Sequence, residues 1–147
     1  RHGHEPGAGP GEAVLDAGRR GGAAVICDVP RRMTDPEIAA FGCADLILAV
    51  TTCDVRGVAA ASAVVPALRA ANPNVGLVVR GPSPGGLRAA EVADVAEVPL
   101  LAAMRPEPML AERLEQGGLQ LRRRSPLAAA ARQVLELLPR RTGVRAA

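Results

Sequence analysis

The sequence predicts an α/β fold: a parallel sheet with helices on both faces. Two observations predict it. Short, continuous apolar runs alternate with helix-length segments along most of the chain, which is the pattern of strands buried on both sides rather than on one. The apolar content is also almost wholly Ala, Val, Leu and Ile, with one aromatic, Phe41, in 147 residues. A core without aromatics needs closely spaced layers of aliphatic side chains, which helices packed on a sheet provide.

Residues 1–11, RHGHEPGAGPG, are rich in Gly and Pro and read as a disordered lead-in or an interrupted loop. His2 and His4 have no other ligand type close by in sequence and read as solvated. A short helix is expected over about 12–19, then a first strand in the run AAVICDV, 23–29. Asp35-Pro36 is a helix start, and DLILAVT, 45–51, a second strand. The Ala-rich segment 54–71 has helical length with Asp54 as N-cap, and Pro66 is expected to kink it. Asn72-Pro73-Asn74 ends that helix before a third strand, VGLVVRG, 75–81. A helix over 87–97 and a fourth strand over 98–104 follow, then helices over about 108–116 and 126–138. Residues 140–147 read as a flexible basic tail, so that one domain spans 12–139.

Composition excludes several chemistries. All 18 basic residues are Arg, so no lysine serves as Schiff base, general base or phosphate-loop cation. From Leu119 onward seven Arg face one acid, Glu136, whereas residues 1–118 carry a net −3; the positive charge belongs to the tail. Cys27, Cys43 and Cys53 are odd in number and lack metal-ligand spacing, and they read as buried, reduced thiols of a cytoplasmic protein. No run of about 18 apolar residues is present to span a membrane.

In a parallel sheet ligands bind beyond the carboxyl ends of the strands. The residues just after each apolar run are therefore the candidates: Asp28-Val29-Pro30-Arg31, Thr51-Thr52-Cys53-Asp54, Arg80-Gly81-Pro82 and Arg105-Pro106-Glu107. Asp28, delivered by a strand to its end, has the layout of a carboxylate that reaches Mg²⁺ beside nucleotide phosphates, directly or through water. The same layout serves a turn or a helix cap. Parallel strands would gather Asp28 and Arg80 around one crevice.

Taken together, these junctions resemble one family, the ParA/MinD-type ATPases. VICDVPRR (25–32) resembles their Walker B and switch II segment, and CADLILAVTTCDVRGV (43–58) their next strand and helix. LVVRG (77–81) is similar to their strand ending in an Asn-Arg pair, and MRPEPML (104–110) to their late P-x-D element. The wording of 72–94 and 99–108 resembles the septum-site-determining and CpaE-like subgroup found in actinobacteria. The resemblance implies a P-loop NTPase fold and a regulator of septum placement in cell division, or of pilus assembly. It implies ATP and Mg²⁺ as cofactors of the longer protein, Asp28 as the catalytic, metal-side carboxylate, and Arg80, Pro82 and Pro106 around the nucleotide. Its implied partners are division or pilus and secretion proteins and a nucleotide-dependent homodimer, with a peripheral place at the inner membrane left open and specific nucleic-acid recognition not implied.

Two departures bear on this. The Walker A loop is absent: Gly7–Glu12 carries no Lys, Ser or Thr and stands too close to the Asp28 run, so this stretch alone implies no hydrolysis. The family's Asn falls at Val79, leaving Arg80 without its amide neighbour. A non-catalytic interaction module with a lapsed nucleotide site is the rival reading. Arg31 and Arg32 read as phosphate contacts or solvated charges, Arg122–Arg124 as an anion-facing cluster or a solvated loop, and the last helix as docked on the sheet through Leu127, Ala130, Ala131, Val134 and Leu138.

Overall fold

Three parallel strands form one sheet in the order β1-β2-β3: β1 Ile47–Thr52, β2 Val75–Arg80 and β3 Leu100–Met104. They belong to a computed structural model that describes residues 17, 18, 20, 21, 24–30 and 34–138. Helices with bounds among the described residues accompany them: α1 Asp35–Cys43, α2 Val55–Ala71, α3 Ala89–Ala96, α4 Leu110–Glu115 and α5 Pro126–Leu137. The chain divides into two compact units, 45–139 holding the sheet and α2–α5, and 1–44 with 140–147 holding α1.

In the sheet unit, β2 lies in the middle and its first five residues are buried, as its unbroken apolar sequence requires. Val78 packs with Ala102 of β3 and with Ala130 and Val134 of α5. Side chains alternate along a strand, so Leu77 and Val79, 0% and 1% exposed, point to the opposite face, where α2 and α3 pack. Helices thus cover both faces. The β2–β3 register shifts between Leu77 and Val78, whose partners are Leu100 and Ala102, leaving Leu101 as an extra residue on β3. The Leu101 side chain fills the space over Gly76, where a Cβ would collide with it.

Asp54 caps α2, its Oδ1 accepting from Gly57 N at 2.7 Å. Gly57, Ala61, Val65 and Leu68 form the buried stripe of this helix at helical spacing. Pro66 lies exposed inside α2, which runs on to Ala71. In α5, Ser125 caps the first turn through Ala128 N at 3.0 Å, and Ala130 and Val134 are buried. Ala131, expected on the docked face, is exposed, because Ala130 and Val134 set the contact line and Ala131 is turned about 100° from Ala130.

In the other unit, Thr34 precedes α1, and the Glu37 carboxylate accepts from Thr34 N at 2.9 Å and from the Thr34 hydroxyl. Those bonds, the hydroxyl's first, hold Glu37 below the usual carboxylate range. The expected first strand is not formed. Residues 24–30 have no regular structure, and Ile26 is 91% exposed. A strand exists only through its ladder of inter-strand bonds, so apolar, β-branched sequence without a paired neighbour stays irregular. The sheet among the described residues has three strands, not four. The expected lead-in 1–11 with His2 and His4, most of the helix 12–19, Arg31, Arg32 and the tail 140–147 lie outside the described residues.

Candidate functional site

The parallel ladders place three strand exits at one level. Thr52 pairs with Arg80, and Arg80 with Met104, the last residues of their strands. Backbone bonds continue just beyond: Cys53 N donates to Arg80 O at 2.9 Å and Gly81 N to Met104 O at 2.8 Å. Cys53-Asp54, Gly81-Pro82 and Arg105-Pro106-Glu107 therefore leave the same end of the sheet, as parallel strands require. The Gly81-Pro82 peptide is cis.

At the first exit the residues are committed to structure. Thr51 Oγ1 donates to Gly57 O at 2.9 Å, and Gly57 sits so close to the end of β1 that a Cβ would strike Thr52 O. Asp54 is held below the ordinary carboxylate range by the Gly57 N–H and then by the Thr52 hydroxyl. Its charge is spent on the helix cap, as the sequence foretold. Cys53 is buried and its thiol donates to Leu87 O at 3.2 Å, whereas Cys27 and Cys43 are exposed, against the expectation of three buried thiols. Both lie outside the sheet unit, so the apolar runs beside them do not carry them into its core.

The second exit presents Arg80 and Pro82, both exposed. Val79, beside Arg80, is turned into the core at 1% exposure.

The third exit contains a residue whose role sequence reading missed. The Glu107 side chain is 3% exposed and accepts from Ser125 Oγ at 2.6 Å, Leu127 N at 3.3 Å and Arg113 Nη1 at 3.4 Å. It ties the exit of β3 to the start of α5, and the Ser125 hydroxyl is the foremost cause holding it below the usual range. Ser125 followed by Pro126 was the available signal for the cap; nothing in sequence pairs Glu107 with a serine 18 residues away. Pro106 is half-buried beside it.

Asp28 is exposed, in the irregular stretch 24–30 of the other unit, and no strand carries it. The ladder thus gathers the Arg80, Pro82 and Pro106 junctions, while Asp28 is not among the residues it positions. Among the described residues no three His, Cys, Asp or Glu side chains cluster as a metal-ligand set, and no helix is long and apolar enough to cross a membrane.

Fold and strand exits define a Rossmann-like α/β unit built on a small parallel sheet. Comparison with known proteins finds similarity to an uncharacterized protein of Mycobacterium tuberculosis, in two strains, at 67% identity over 140 residues. The match covers 95% of this chain and 40% of the relative, so the chain spans about two fifths of the length of the curated relatives it matches. No family model matches the chain, and no solved structure does.

Proposed function

We propose that the chain is part of a ParA/MinD-like, P-loop-type regulator acting in septum placement or pilus assembly, in which a longer polypeptide binds ATP and Mg²⁺. The observation that carries this reading is the common level of the strand exits, which brings the Arg80-Gly81-Pro82 and Arg105-Pro106-Glu107 junctions to one end of a parallel sheet, where such folds hold ligands. The open edge of β1, unpaired among the described residues, leaves room for further strands. In this reading Arg80, with Pro82 and Pro106, flanks the nucleotide and Asp28 serves the metal side. The phosphate-binding loop is supplied by sequence outside this chain, and its cation and backbone N–H groups perform most of the transition-state stabilisation. Division or secretion proteins and a second copy are the partners this class would engage, from the cytoplasm or the inner membrane surface.

Burial of Val79 favours a second reading, a non-catalytic interaction module, because an aliphatic side chain in the core supplies no amide to a base. Titration of the full-length protein with ATP and Mg²⁺ separates the two. Saturable binding that weakens at least tenfold in Asp28→Ala and Arg80→Ala supports the switch. Absence of binding by a folded wild-type protein supports the module.

A further inference from the structure

Three arginines of the sheet unit line one open cavity. Arg123 and Arg124, on the loop before α5, and Arg132, on the second turn of α5, line a space of about 490 Å³. Arg132 Nη2 donates to Arg123 O at 3.0 Å, which fixes helix and loop against each other. The ion pairs among the described residues are Arg88–Glu91 and Arg113–Glu107, so none of the three has a carboxylate partner there; Glu136, one turn beyond Arg132, makes no ion pair with it. The nearby acid Glu107 is turned inward onto Ser125, Leu127 and Arg113 and does not line the cavity.

Like charges held together without counter-charge repel one another, and an anion relieves that repulsion. The first-turn N–H groups of Leu127 and Ala128 are already taken by Glu107 and Ser125, so the guanidinium groups, not the helix end, supply the donors. Planar guanidiniums suit tetrahedral oxyanions, which they grip with paired N–H donors. The volume exceeds that of one phosphate, and no aromatic lines it to stack a base. We propose that the Arg123–Arg124–Arg132 cavity binds a free polyphosphate-type anion through its phosphate groups, independently of any base.

Calorimetric titration of the full-length protein with inorganic tripolyphosphate, without Mg²⁺, tests this. A saturable component is expected, separate from any binding at the phosphate loop of the longer protein, that Arg123→Ala or Arg132→Ala weakens roughly tenfold, each variant losing a charged hydrogen-bonding group. Arg132→Lys keeps the charge but loses the paired donors and is also expected to bind more weakly. Arg56→Ala removes an equal charge elsewhere and should leave the affinity unchanged; circular dichroism checks that each variant is folded. Asp28→Ala and Arg80→Ala should bind tripolyphosphate like wild type, which keeps this site distinct from the proposed nucleotide site. A second arm measures co-sedimentation with phosphatidylglycerol–phosphatidylcholine vesicles. No saturable tripolyphosphate binding, equal weakening by Arg56→Ala, or Arg132-dependent binding to vesicles alone would each overturn the proposal.

Discussion

Gly57 and Glu107 show how much one residue decides in this chain. At Gly57 the backbone of α2 lies against Thr52 O, and a methyl group there must push helix or strand aside. Gly57→Ala is therefore expected to cost about 1–3 kcal/mol, read as a lower denaturation midpoint with an unchanged m-value. Glu107 is lowered from the ordinary value of 4.5 by the Ser125 hydroxyl first. A carboxylate with a depressed folded pKa contributes stability that is present above its unfolded value and is lost as pH falls through the folded one. Wild-type stability should thus decline below about pH 4.5, and Glu107→Gln, less stable near neutrality, should show a shallower acid decline in denaturant titrations at a series of pH values. Ser125→Ala removes the cap and strips Glu107 of its nearest donor; a loss of about 1–3 kcal/mol is expected by the same measurement.

Among the elements, α2 carries Pro66 inside its span Val55–Ala71. The packing of Ala61, Val65 and Leu68 on the sheet and α3 holds both sides of Pro66 in one helix. Pro66 still lacks the N–H that would bond the Ser62 carbonyl. Pro66→Ala should accordingly raise stability, by up to about 3 kcal/mol, seen as a higher melting temperature. The failure of 23–29 to form a strand has the opposite cause. Its residues have strand propensity, but propensity measures fit to a pleated neighbour, and no ladder reaches these residues. Helix ends shifted by one or two residues, as at Ala89–Ala96 against the expected 87–97, where capping bonds decide the boundary.

On the scale of the whole molecule, α5 closes one face of the sheet through Ala130 and Val134 over Val78 and Ala102. Truncation before Ser125 would uncover that face and release Glu107 from Ser125 and Leu127. The truncated protein is expected to bind the dye ANS and to lose its cooperative thermal transition, while removal of 140–147 alone leaves the transition cooperative and adds no ANS binding.

The sequence by itself determined the parallel α/β class, the strands 47–52, 75–80 and 100–104 to within a few residues, the cap Asp54, and the common end at which Arg80 and Pro106 emerge. These follow from local periodicity, from capping chemistry and from the geometry of parallel strands, all of which act over short stretches of chain. Only tertiary structure decided that three strands and not four pair among the described residues, that Val79 turns inward, that Glu107 reaches Ser125, and that Arg132 meets Arg123. Each of these depends on which distant segment arrives beside a residue, and pairing partners and burial are properties of the packed chain rather than of the residue's neighbours in sequence.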